Sequence, residues 1–145
     1  MIKVEHLFKS FDDKPVLKDI NAEFENGKVN LIIGQSGSGK TVFMNNIVGL
    51  LTPTSGNIFY DERDFVNMSK REKIMLRRAM GMIFQSAALF DSLSVLDNVM
   101  FPLNMFSDKN YDDRKKRAEY CLERVNLAGT GNKFPKELSG GMQKR

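Results

Sequence analysis

Gly34-Gln35-Ser36-Gly37-Ser38-Gly39-Lys40-Thr41 fits the pattern G-x-x-x-x-G-K-[ST], and it sits where that pattern has physical meaning, between an apolar run at 29–33 and a helix start. Glycine at 34, 37 and 39 removes the Cβ atoms that would stop the backbone curling, so successive amide hydrogens converge on one concave point. The helix that begins near Lys40 adds its positive end to that point. Lys40 brings an ammonium to the β- and γ-phosphates of a nucleotide, and the Thr41 hydroxyl can ligate a Mg²⁺ that shares their oxygens. Gln35, Ser36 and Ser38 supply the intervening amides. A glycine-rich turn that happens to precede a lysine is the bland alternative, and the strand and helix on either side argue against it.

Upstream, Ile2, Val4, His6 and Phe8 alternate with polar residues, which reads as a strand over 2–10 with one half-buried face. His6, the only histidine, belongs to that face on this reading. Residues 16–24 repeat the extended pattern, Asn26-Gly27 supplies a tight turn, and 29–33 is expected to be a buried strand. Downstream, Val42, Phe43, Met44, Ile47 and Val48 share one side of a helix that stops at Thr52-Pro53-Thr54-Ser55-Gly56. A short strand is expected near 57–60.

Ser69 with Glu72 gives a capping-box signal for a basic helix to about Met80, whose charges read as a solvated face. Residues 81–84 form a second apolar run, expected as a buried strand that leads through Gln85 into a loop. Beyond it the pattern is helical. Ser94 and Asp97 mark a helix start, Pro102 is expected to end or kink that helix, 111–125 carries a further helix, and 129–135 is a loop. The chain thus divides into an α/β part at 1–91 and a helical part at 92–145.

With 145 residues and 41% hydrophobic content, the chain can build one domain with a core but not two ordinary ones. Charged residues at 28% and only 11 Gly and 4 Pro exclude a disordered or collagen-like class. A net charge of +4 suits an anionic partner, but the excess is too modest to single out nucleic acid. Cys121 is alone, so no internal disulfide forms, and a reducing compartment is the simplest home. No window approaches the ~18 apolar residues of a membrane span, so membrane contact is expected only through a partner.

A phosphate loop alone leaves small-molecule kinases, GTPases, motor and helicase ATPases and ABC ATPases open, because loop and fold do not fix function. A guanine reader of the form Asn-Lys-x-Asp is missing its aspartate in Asn132-Lys133-Phe134-Pro135. Leu138-Ser139-Gly140-Gly141-Met142-Gln143 decides the matter, since it resembles the LSGGQ signature of ABC ATPases, with Met142 where that family commonly has Gln. Ser139 can cap a helix, and the small Gly140 and Gly141 expose its first amides to an anion. Taken alone, Ser-Gly-Gly is equally a flexible turn.

The resemblance to the ATP-binding subunits of ABC transporters spans the whole chain, with Walker A loop, Q-loop and signature in family order. It implies a P-loop NTPase core with an antiparallel β subdomain and an α-helical subdomain, and an ATPase with ATP and Mg²⁺ as cofactors. By resemblance Gln85 is the Q-loop glutamine, which with Lys40 serves catalysis and with Thr41 approaches the Mg²⁺. Phe11 stands where the family places an aromatic that stacks on adenine, although a strand-end Phe also suits the core. Ser139, Gly140 and Gly141 would meet the γ-phosphate held by a second ATP-binding subunit in a head-to-tail homodimer. A transmembrane permease is the other implied partner, with no direct nucleic-acid contact and a cytoplasmic site at the inner face of the plasma membrane.

The stretch Phe84-Gln85-Ser86-Ala87-Ala88-Leu89-Phe90-Asp91-Ser92, with Asn98-Val99 and Pro102-Leu103 after it, resembles Mla-type phospholipid transport subunits. The family's Walker B strand, catalytic glutamate and switch histidine fall after Arg145, so the chain is expected to be truncated before them, to bind nucleotide with little turnover, and to be marginal or molten by itself. A non-hydrolysing nucleotide-binding module, or a soluble ABC ATPase acting on nucleic acid or the ribosome, are the alternatives.

Overall fold

Strands β1 (Ile2–Phe11) and β2 (Lys14–Phe24) are joined by only Asp12 and Asp13, both with positive φ (44° and 61°), the backbone that a two-residue hairpin demands. The computed structural model describes residues 1–84 and 88–145. Strand β3 (Ser55–Tyr60) pairs with the other edge of β1, and the short β4 (Arg63–Asp64) pairs with β3. The order is β2-β1-β3-β4, antiparallel throughout.

The β1–β2 ladder is interrupted between Val4 and Leu7, where His6 (φ 48°) adopts left-handed backbone, and again between Leu7 and Lys9, where Asp19 (φ 52°) does so on β2. His6 therefore sits in a bulge with its ring in solvent, 2.7 Å from the Asp19 carboxylate, and its amide donates to Asn21 Oδ1 at 2.9 Å. The regular alternation expected through His6 is broken there, because an extra residue re-aims the side chain.

The chain forms two compact units, Met1–Gly81 and Met82–Arg145. In the first, helix α1 (Lys40–Ile47) lays Phe43 and Ile47 on Val4, Leu7, Leu17, Ile58 and Phe65. Met44, expected on that buried side, is 41% exposed. Each buried aliphatic or aromatic side chain contributes about 1.5–3 kcal/mol. Helix α2 (Lys70–Arg78) opens with the expected capping box: the Glu72 amide donates to Ser69 Oγ at 3.3 Å, and Ser69 N donates to Glu72 Oε2 at 2.9 Å.

Two sequence expectations fail. Residues 29–33 form no strand, and Val29, Leu31 and Ile33 are 99%, 82% and 81% exposed, with only Ile32 turned toward the core. Residues 81–84 form no strand either, and Ile83 is 92% exposed. Runs apolar on both sides belong in a sheet covered on both faces, and among the described residues neither run has a neighbouring strand.

In the second unit, helix α3 (Val95–Phe106) is capped by Ser94, whose Oγ accepts from Asp97 N at 3.1 Å. Pro102 does not end it. Helix α4 (Tyr111–Arg124) starts at the Asn110 cap, and a 3₁₀ turn (Pro135–Glu137) precedes the one-turn helix α5 (Gly140–Gln143). Val95, Leu122, Leu127 and Leu138 form the core of this unit. Among the described residues no helix is long and apolar enough to cross a membrane.

Candidate functional site

Residues 34–38 form an exposed loop that runs through Gly39 into α1 at Lys40 and Thr41. Gly37 (φ 78°) and Gly39 (φ 94°) supply the two left-handed turns that curl it. Gly39 also needs its small size, since a Cβ there would lie 3.0 Å from Leu17 Cδ2 and 3.3 Å from Val16 Cγ1. Strand β2 is thus the floor on which the loop enters the helix.

The Lys40 ammonium folds back into this curl and donates to the carbonyl oxygens of Gly34 (2.8 Å) and Gln35 (2.7 Å). Ser38 N donates to Gln35 O at 3.2 Å, tightening the bend. Helix α1 has Gly39 as its N-cap, with no side-chain cap. Its first backbone bond is Phe43 N to Gly39 O at 2.8 Å, so by helix geometry the amides before Phe43 have no partner within the helix. Ser69, Ser94 and Asn110 cap α2, α3 and α4 in contrast.

This donor set fits a phosphate chain. Among the described residues the ammonium contacts two carbonyls and no carboxylate, and beside it stand uncapped amides at a positive helix end, a set of donors without an acidic acceptor. Thr41 is exposed in the first turn of α1 and offers a hydroxyl to a hard cation. Gln85, the other expected Mg²⁺ neighbour, lies outside the described residues. Among the described residues no three His, Cys, Asp or Glu side chains converge as a metal site. A Mg²⁺ fits here through Thr41 together with the oxygens of a bound phosphate rather than through a protein cage.

Phe11 ends β1, is 41% exposed and pairs with Lys14 across the hairpin. Two residues beyond Lys14, Val16 is in the stretch that touches Gly39, so one short segment of β2 links the aromatic to the phosphate loop. The ring is available and not part of the core. Sequence reasoning missed Lys9, whose Nζ stands 4.9 Å from the Phe11 ring centroid. Its spacing of two from Phe11 on a strand was the available signal.

In the second unit, Ser139 caps α5 by accepting from Met142 N at 3.3 Å. Gly140 and Gly141 are exposed, with nothing within 4 Å of an added Cβ on either. Leu138 is buried as an anchor, and Gln143 turns inward to donate to Pro135 O at 2.8 Å. Met142, at the position where the signature commonly has Gln, packs against the apolar core of this unit.

Comparison with known proteins places these loops in context. The chain is 38% identical over 144 residues to the probable ribonucleotide transport ATP-binding protein mkl of Mycobacterium leprae, covering 99% of this chain and 42% of that protein. It is 37% identical over 145 residues to the intermembrane phospholipid transport system ATP-binding protein MlaF of Haemophilus influenzae, covering 55% of it. The dimeric ATP-binding cassette MJ0796, solved in a post-hydrolysis state with ADP and Pi, matches with a TM-score of 0.85 at 32% identity, over 99% of this chain and 65% of that one. The chain therefore spans about half the length of the curated relatives it matches. The family model described as ABC transporter matches residues 17–145. That match begins on the strand under Gly39 and takes in both glycine-bearing loops, so the chain belongs to the ABC transporter family.

Proposed function

We propose that this chain is the nucleotide-binding part of an ABC transporter ATPase subunit, which couples ATP binding and hydrolysis to transport across a membrane. The observation that carries the reading is the Lys40 ammonium held by two loop carbonyls beside the uncapped start of α1. Carbonyl contacts hold the ammonium in place without neutralising its charge, so its attraction for an incoming phosphate is kept. Amides of 34–41 bind the phosphate tail, Lys40 faces its β- and γ-oxygens, and Thr41 holds the cation. A Mg²⁺ held there by Thr41 would supply charge neutralisation for the transferred phosphoryl group. Gln85 approaches the cation and the attacking water, and Phe11 stacks on the base. Residues 1–91 serve as the α/β core portion and 92–145 as the helical subdomain.

The same reading names the partners. Ser139, Gly140 and Gly141 present α5 amides to the nucleotide of a second ATP-binding subunit, and a permease supplies the only membrane contact, at the inner face of the plasma membrane. Phospholipid is the proposed cargo, supported by the stretch at 84–92 and by the similarity to MlaF. Transport assays in vesicles carrying the permease would separate phospholipid from ribonucleotide, the substrate class in the name of the similar mycobacterial protein.

Calorimetric titration with MgATP tests the core of this proposal. The intact protein should bind it at micromolar to millimolar levels, and Lys40→Ala should weaken binding by about tenfold or more, the scale of a hydrogen bond to a charged group. Equal response of the two forms would refute phosphate binding at 34–41.

A further inference from the structure

Lys9 and Phe11 leave β1 on the same face because they are two residues apart on a strand. The Lys9 ammonium lies 4.9 Å from the Phe11 ring centroid, inside the distance at which a cation is attracted to a ring's π-face. It also donates to the carbonyl oxygen of Thr52 at 2.8 Å, 43 residues further along the chain. That contact belongs to a seam between β1 and the segment after α1, where Thr54 N donates to Phe8 O at 2.9 Å and Ser10 N to Thr54 Oγ1 at 3.0 Å. The ammonium is therefore held by a carbonyl as well as lying over the ring. Phe11 itself has no polar atom by which a neighbour could hold it, and at 41% exposure at a strand end it lies outside the apolar core.

We propose that Lys9 is a positioning residue for the nucleotide's base: bridging the Thr52 carbonyl and one face of Phe11, it fixes the ring so that its other face receives the purine. This rests on the reading of Phe11 as the base-stacking residue. Two physical effects work together. A ring held by a cation has its orientation settled before the ligand arrives, so less freedom is lost on binding. A positive charge behind the ring also draws π-density toward itself, which lowers the repulsion between the negative quadrupole face of Phe11 and the electron-rich face of a purine. Neither effect reaches the phosphate tail, so the contribution depends on the base being present.

The test compares MgATP with magnesium tripolyphosphate, which has the phosphates but no base, on the intact protein and three variants. Lys9→Met keeps the stem and removes the charge, Lys9→Arg keeps both cation and donor, and Phe11→Ala removes the ring. Lys9→Met should weaken MgATP binding about three- to fivefold, leaving tripolyphosphate binding unchanged. Lys9→Arg should stay within about twofold of the parent. Adding Lys9→Met to Phe11→Ala should bring no further loss, since the ring through which Lys9 acts is gone. Equal loss for both ligands would reduce Lys9 to a purely structural brace and overturn the proposal, as would no loss for either. If Phe11→Ala weakens MgATP but Lys9→Met does not, the role of Lys9 alone fails. If Phe11→Ala leaves MgATP binding intact, the base-stacking reading fails and the proposal falls with it. Unchanged tripolyphosphate binding also certifies that each variant is folded.

Discussion

A Cβ at Gly56 would stand 2.1 Å from the carbonyl oxygen of His6 and 2.7 Å from the Cα of Leu7. Gly56 (φ +91°) thus lets β3 close on β1 at the very bulge where His6 leaves the regular ladder. Backbone atoms cannot swing aside as a side chain does, so Gly56→Ala combines overpacking with left-handed strain. The expected cost is about 3–5 kcal/mol. Gly129 (φ +76°) has nothing within 4 Å of an added Cβ, so Gly129→Ala carries strain alone, about 1–2 kcal/mol. Urea unfolding midpoints of the two variants should separate accordingly.

Burial pushes the Tyr60 phenol up to about 12, while its hydroxyl donates to Ile47 O at 2.7 Å and its ring packs edge-on against Phe65. An unfolded tyrosine ionises near 10, so above that pH the unfolded chain sheds a proton that the folded chain keeps. The stability from this group is complete below about pH 10 and is lost as pH rises toward 12. Phenolate absorbance, taken as the difference between the parent and Tyr60→Phe, should show that late ionisation. Tyr60→Phe should also cost about 1 kcal/mol at neutral pH through the lost hydrogen bond.

Local signals in the sequence became structure where the chemistry is local. Ser69 with Glu72, and Ser94 with Asp97, each satisfy helix amides three residues away, and such a pair is complete within one turn. The curl of 34–41 was legible for the same reason, because its glycines and Lys40 carry their own geometry. Strand pairing was not legible: residues 29–33 read as buried from their apolar run, yet burial needs neighbours that the run itself does not specify. The irregularities at His6 and at Asp19 left no apolar pattern to read, and the Lys9 contact to Thr52 joins residues 43 apart in the chain.

Gly39 offers a test of how the sheet supports the phosphate loop. A methyl there meets Leu17 Cδ2 at 3.0 Å, Val16 Cγ1 at 3.3 Å and Val16 O at 3.4 Å, contacts of which the leucine end can give way most readily, while φ +94° strains any residue with a Cβ. The loop can answer by shifting its amides away from their convergent point, at little expense to the core. Gly39→Ala should therefore lower MgATP affinity by about tenfold, the cost of losing one to two kcal/mol of positioned hydrogen bonding. The unfolding midpoint should move much less than for Gly56→Ala. Calorimetry and urea titration on one preparation would read both, and a large stability loss with full nucleotide binding would contradict the floor role of β2.

Val29, Leu31 and Ile33 place alternate side chains in water along one segment, and Met82, Ile83 and Phe84 are all exposed on another. Such runs offer both apolar surface and unpaired backbone, the two requirements for strand addition between copies. The 145 residues by themselves should bind a hydrophobic dye and associate with rising concentration, with a broad thermal transition. Leu31→Lys breaks the apolar alternation at its centre without touching the core at Val4, Leu7 and Phe43. It should reduce dye binding and shift light scattering toward the monomer, and Ile83→Lys should do the same independently. A sharp, cooperative melt at high temperature with no dye binding would show that both runs are already covered in solution.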